Sequence, residues 1–162
     1  MAKVTQKITP FLWFDKEAEK AAKFYISVFG DGKILSTSHY DENASNVAGM
    51  PVGSVMVVEF ELFGQKFQAI NAGPVFKFTE AISFLVTCEN QEEVDKYWKV
   101  LSAVPESEQC GWLKDKFGLS WQIVPKQLGE MMSKDTSGRV MQAMLQMKKI
   151  DVAKLKEAYK GK

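Results

Sequence analysis

The chain has one histidine and two cysteines in 162 residues. Cys88 and Cys110 could pair only with each other, which excludes a disulfide framework and predicts reduced thiols in a cytosolic protein. With His39 remote in sequence from both, neither cysteine has an obvious base to activate it as a nucleophile. Excess charge is also missing. Lys and Arg total 21 against 20 Asp and Glu, a formal net charge of +1, so no long-range field draws in nucleic acid or an anionic membrane. Long apolar runs are absent as well. The opening MAKVTQKITPFLWFDKEAEK sets charges on both sides of a run too short to span a bilayer, with no small-residue cleavage site. No membrane association and a cytoplasmic location are therefore expected.

Hydrophobic residues make up 46% and charged residues 25%, the balance of an ordinary globular fold, here read as one domain over residues 1–162. Asp15 is placed to cap a helix in which Ala18, Ala21, Ala22, Tyr25, Val28 and Phe29 share one face, ending at Gly30. The run KITPFLWF before it reads as an edge or strand start because of Pro10. Strands are predicted over Lys33 to Tyr40, Val55 to Phe63 and, past a turn at Gly64, Gln65 to Asn71. The stretch DENASNVAGMPVG has no periodicity and reads as a mobile loop.

The pattern then repeats. AISFLVTC, ending at Cys88, is followed by a helix capped at Asn90 with Glu93 three residues on and Val94, Tyr97, Trp98 and Leu101 on one face. Strands are expected at Cys110 to Lys116 and Leu119 to Pro125, joined through Phe117-Gly118 as Phe63-Gly64 joins the earlier pair. Pro10 falls on Ser83 and Gln68 on Gln122 when the halves are superposed. The order of elements predicts an internal duplication over roughly residues 6–73 and 79–126 in an α+β fold, with a helical extension over residues 127–162 that reads as one or two amphipathic helices from Gly129. Two short sheets, each with one uncovered face, predict a small-molecule pocket.

The segments ITPFLWF, FYISVFG and CGWLKDKFGLSWQIVP resemble the PhnB-like proteins, many of which carry the name 3-demethylubiquinone-9 3-methyltransferase. Those belong to the vicinal-oxygen-chelate superfamily, with glyoxalase I, fosfomycin- and bleomycin-resistance proteins and extradiol dioxygenases. The likeness covers roughly the whole chain, C-terminal helices included. It implies paired βαβββ modules of the glyoxalase/bleomycin resistance/dihydroxybiphenyl dioxygenase type, usually as a homodimer. It also implies four pocket-facing positions where the enzymes place His or Glu. Carried over, these fall near Pro10, Gln68, Ser83 and Gln122, which offer no imidazole, carboxylate or thiolate for a divalent ion. Glyoxalase-type isomerisation and extradiol cleavage need that ion, so no metal and no other cofactor is expected. The methyltransferase name has no Gly-rich turn after a first strand to support it, since Gly30-Asp31-Gly32 follows a helix.

The candidate pocket residues are Trp13, Phe67, Gln68, Ser83, Cys110, Trp112, Trp121 and Gln122. The two glutamines are expected to face each other, bonding either a ligand or one another. The aromatic side chains serve either as walls for a flat ligand or as core. Cys110 has an uncrowded neighbour in Gly111 but no adjacent cation to lower its pKa. His39 reads as a solvated strand end, and Glu59 and Glu61 as a solvent face or an acid–base pair. Two functions remain open: metal-free capture of an unidentified small, possibly aromatic, molecule by a homodimer, or an enzyme of the glyoxalase, dioxygenase or methyltransferase kind.

Overall fold

A computed structural model describes residues 6–161. The chain forms two compact units, the first running to Lys77 and the second starting at Phe78. The first contains β1 (Phe11–Phe14), α1 (Ala18–Phe29), β2 (Gly32–His39), α2 (Glu42–Ala48), β3 (Val55–Leu62) and β4 (Gln65–Asn71). Its sheet has the order β1-β4-β3-β2, with β1 parallel to β4 and the other pairs antiparallel. This is the expected strand–helix–three-strand module.

The six apolar residues that share a face of α1 are all buried. They pack on Leu12, Phe14, Val58, Phe60, Leu62, Phe67 and Ala69, the alternate residues of β1, β3 and β4. Phe60 and Phe67 stack at 5.3 Å between ring centroids. The helix stops at Gly30, whose φ of 73° suits the left-handed cap, with its amide donating to the Ile26 carbonyl.

Two expectations are corrected in this unit. Asp15 does not cap α1; the N-cap position is Glu17, with no side-chain bond. The amide of Ala18 instead donates to Asn71 Oδ1 at 2.8 Å. Asn71 also donates through Nδ2 to the Val55 carbonyl, and its own carbonyl accepts from the Tyr40 hydroxyl at 2.6 Å. A side chain 53 residues away in a strand does what a local cap would do, which is invisible to local pattern. The second correction is the loop after β2, which contains α2. Asp41 caps it, accepting from the Ala44 amide, and Gly49 closes it. None of its residues is buried, so it has no apolar period to read.

The second unit contains β5 (Ser83–Cys88), α3 (Gln91–Leu101), a 3-10 turn (Pro105–Ser107), β6 (Trp112–Lys114), β7 (Ser120–Pro125), α4 (Lys126–Lys134), α5 (Arg139–Leu145) and α6 (Val152–Lys160). Its sheet has the order β5-β7-β6, with β5 parallel to β7. The helix α3 is capped as expected, Asn90 accepting from the Glu93 amide, and buries Val94, Tyr97 and Leu101. The module realises three of the four strands of its counterpart. Where an outer strand would run, Gln109 bridges Trp112 and the amide of Ala103 donates to the Lys114 carbonyl.

β6 is also shorter than expected, because Asp115 leaves the strand and is 1% exposed. Its carboxylate accepts from the amides of Phe117 and Leu119 and from the indole of Trp121, at 2.8, 3.0 and 2.8 Å. The C-terminal extension forms three helices rather than one or two. They start at Lys126, with Gly129 inside α4, and enclose Leu128, Met131, Val140, Ile150 and Leu155. Breaks come at Gly138, with φ 74°, and at Asp151, which caps α6.

Asn71→Ala removes the acceptor for α1 and leaves the partly buried Val55 carbonyl without this donor. A loss of about 2–4 kcal/mol is expected from a missing cap plus an unsatisfied, partly buried group, lowering Tm by roughly 5–15 °C. Calorimetry of the variant checks this, and a Tm within a degree of the parent contradicts it.

Candidate functional site

Each sheet has one face under its helix and one open face, and strand alternation decides which residues stand on which. In the first unit Leu12 and Phe14 lie under α1, so Phe11 and Trp13 are on the open face. Phe11 is in register with Gln68, and Trp13 with Ile70. The next strand adds Val57 beside Ile70 and Glu59 beside Gln68. Trp13 donates its indole N–H to the Gly73 carbonyl at 2.9 Å, and its ring meets Phe76 edge-on at 4.9 Å. Glu59 pairs with Lys66 at 3.3 Å, and Glu61 stands in register between Lys33 and Lys66. Both carboxylates thus share the open face with lysines. His39 is exposed at the end of β2.

In the second unit Leu113, Trp121 and Ile123 lie on the side of α3 and are almost fully buried. The other face therefore carries Ser83, Leu85 and Thr87 of β5, Ser120, Gln122 and Val124 of β7, and Trp112 and Lys114 of β6; Val124 packs against the C-terminal helical cluster and Ser120 is buried, so the open part is formed by the rest. The register arranges them in rows: Leu85, Gln122 and Trp112 across the three strands, and Ser83, Ser120 and Lys114 beside them. Gln122 Nε2 donates to Ser83 Oγ at 2.9 Å. Lys114 pairs with Glu80 at 2.5 Å, and the ammonium holds that carboxyl below its ordinary range. Ser120 Oγ is buried with no hydrogen-bond partner among the described residues.

Of the eight candidate residues, Ser83, Trp112 and Gln122 come together on one face. Trp13 and Gln68 share the open face of the other sheet. Phe67 and Trp121 stand on the opposite, helix-covered faces, 7% and 3% exposed, so they are core and not wall. Cys110 sits in a tight turn with φ 52°, followed by Gly111 at 86°. Their amides donate to the carbonyls of Met147 and Lys148, both at 2.8 Å. Gln68 belongs to the first unit and Gln122 to the second, each placed within its own sheet.

The superposition of the halves needs a one-residue shift in its first strands. Phe11 is opposite Gln68 but Leu85 is opposite Gln122, so Leu85 corresponds to Phe11 and Ser83 to Thr9, not Pro10. A shift of one residue exchanges the faces of a strand. Leu85 and Lys114 were the open-face residues that sequence reasoning missed, with the buried Ser120 beside them. AISFLVTC is apolar nearly throughout, and only the pairing with β7 shows which side is out.

A metal site is not supported by these side chains. Amide, hydroxyl, indole and alkyl groups are poor donors for a divalent ion, and among the described residues no three His, Cys, Asp or Glu side chains converge to hold one. No described helix is long and apolar enough to cross a membrane.

The model of the 3-demethylubiquinone-9 3-methyltransferase family matches residues 6–124. A PhnB protein from Bacillus cereus that carries the same methyltransferase name is 40% identical, with a TM-score of 0.61 over 74% of this chain and 99% of its own. The chain belongs to this PhnB-like family. Protein PA1353 from Pseudomonas aeruginosa shares the fold at 15% identity, TM-score 0.55, over 75% of this chain and 98% of its own. A lactoylglutathione lyase from Agrobacterium tumefaciens aligns at 16% identity and TM-score 0.41, over 78% of this chain and 98% of its own. No curated protein matches the sequence. The expected PhnB-like family and the α+β class with its strand–helix–strand modules stand. The reach of the likeness is corrected: the family model ends at residue 124, before α4, so the C-terminal helices of this PhnB-like chain lie outside it.

The two thiols differ sharply in setting. Cys88 is fully buried, and desolvation, with Glu93 adding to it, pushes its pKa up to about 12; burial and Glu93 push Tyr97 up to about 12 as well. Both groups hold their protons more tightly folded than unfolded, so the stability they contribute is full below pH ~9 and is lost as pH rises toward ~12. Thiol titration of the native protein at pH 8 is expected to modify Cys110 alone, with Cys88 reacting only on unfolding. Modification of Cys88 in the native state contradicts this placement.

Proposed function

We propose that this PhnB-like protein is a metal-free cytoplasmic binding protein that holds a small molecule on its open sheet faces without transforming it. The observation that carries the reading is the Ser83–Gln122 hydrogen bond of 2.9 Å. Two positions that the superfamily resemblance implies for metal ligands here hold a hydroxyl and an amide bonded to each other. Such groups bind neutral polar atoms and are poor Lewis-acid scaffolds. Trp112, on the same sheet as this pair, supplies apolar contact area, and Phe11 and Trp13 supply it on the open face of the other sheet.

The methyltransferase name belongs to the family and to the Bacillus relative. In this chain the first strand passes into Asp15-Lys16-Glu17 and α1, without the Gly-rich turn that seats a nucleotide-like cofactor in the common methyltransferase fold. Elemental analysis of the purified protein is expected to find no stoichiometric Zn, Mn, Fe or Ni. One such ion per chain contradicts the reading.

Because Ser83 and Gln122 touch, replacing them by stronger donors should begin a metal site. The double variant Ser83→His, Gln122→Glu puts imidazole and carboxylate side by side. Calorimetric titration should show measurable Zn or Ni binding that the parent lacks, though weak for want of further ligands and supporting hydrogen bonds. Equal, negligible binding by both proteins would remove the assignment of these two positions.

A homodimer forms part of the same proposal. β1 and β5 are edge strands, and Phe11 and Leu85 on them are 54% and 57% exposed, apolar surface that a second copy can cover. Light scattering at micromolar concentration should give about twice 18.3 kDa; the mass of a single chain rules the dimer out.

A further inference from the structure

We propose that the open face of the second sheet takes an uncharged, flat molecule about two fused rings long, with one polar edge that both donates and accepts hydrogen bonds. The inference rests on the binding function proposed above and specifies its ligand.

Length comes from the row Leu85, Gln122, Trp112. The three residues are in register on neighbouring strands, and strands lie about 4.8 Å apart, so the row spans roughly 10 Å. Its ends are apolar, an exposed isobutyl group and a half-buried indole. Between them is an amide of fixed orientation. Because Gln122 gives one N–H to Ser83, its carbonyl oxygen and second N–H remain for a ligand, and the Ser83 hydroxyl proton is free to point outward.

The tryptophans separate by what their indole nitrogens do. Trp13 and Trp121 commit theirs to Gly73 and Asp115. The indole of Trp112 makes no hydrogen bond among the described residues, and its nitrogen is not sealed from solvent. A donor therefore stands beside the amide, on the same row.

Polarity increases toward the neighbouring row of Ser83, Ser120 and Lys114. Ser120 Oγ, in a residue 1% exposed, is without a partner among the described residues, and a buried hydroxyl left so is unfavourable until a water or a ligand atom reaches it. The only ionic group on these two rows, Lys114, is already neutralised by Glu80 at 2.5 Å. A charged ligand would meet no free counter-ion here, whereas a neutral lactam, amide or hydroxy-substituted ring system meets donors and acceptors along one edge and apolar surface along its face.

The test uses the full chain, 15N-labelled, titrated with 2-naphthamide, naphthalene and 2-naphthoate. These share a ring system and differ in polar edge and charge. The Trp112 indole and Gln122 side-chain amide signals, assigned through Trp112→Phe and Gln122→Leu, are the readout. With 2-naphthamide both signals should move, with affinity at least tenfold above either other compound, and Gln122→Leu should bring the amide down to the level of naphthalene. Ser83→Ala, a smaller change, should weaken 2-naphthamide severalfold and serves if Gln122→Leu does not fold. Naphthoate or naphthalene binding as tightly through the same two signals overturns the ligand class but leaves small-molecule binding standing. Movement of neither signal with any of the three overturns both.

Discussion

The arrangement of the second unit depends on one buried carboxylate. Asp115 is 1% exposed and accepts three hydrogen bonds, from the amides of Phe117 and Leu119 and the indole of Trp121. Its backbone joins in, the amide donating to the Leu119 carbonyl and the carbonyl accepting from Gly118. A buried carboxylate is tolerable only when its lone pairs are satisfied in this way. The bonds hold the turn between β6 and β7 and seat Trp121 in the core. With Trp121 turned inward, its neighbour Gln122 must turn outward, which places it between Leu85 and Trp112 and within reach of Ser83. The segment DKFGLSWQ is therefore mainly a device for setting register, and its last residue, Gln122, is the one it presents between Leu85 and Trp112.

The second module stands without the outer strand that its counterpart has. Part of that edge is covered by the chain itself around residues 103–109, and part by the segment entering α6, whose carbonyls at Met147 and Lys148 take the amides of Cys110 and Gly111. Gln91 clamps the same segment from α3, bonding the Ile150 carbonyl and the Val152 amide. At Gly111 a β-carbon would meet Ile150 at 3.1 Å, so the glycine serves both the positive φ and the close approach. Helices that lie beyond the family match thus substitute for sheet, and the open face is left to the other side of β6 and β7.

Much of this was legible in the sequence wherever burial imposes a period. The faces of α1 and α3, the strands from Val55 and Gln65, and the Asn90 cap follow from apolar spacing and short-range capping. Three kinds of feature were not legible. Long-range polar bonds, such as Asn71 to Ala18, replace the local cap that Asp15 suggests. A helix with no buried residue, α2, has no period at all. In β5, apolar side chains on both faces hide which is core, so the superposition of the halves slips by one residue there; Phe67 and Trp121, each next to an outward glutamine, alternate onto the helix-covered faces and form no wall.

The account is most directly tested by measuring whether Asp115 sets the open face. Nuclear Overhauser contacts from the Gln122 side-chain amide to the Trp112 indole and the Leu85 methyls should be present in the parent protein. Asp115→Asn keeps the size of the side chain but sets an N–H₂ group against donors, and in this variant those contacts should be lost or strongly weakened while the chain remains folded by circular dichroism. Contacts that persist unchanged in folded Asp115→Asn would contradict the claim that this carboxylate determines what the face presents.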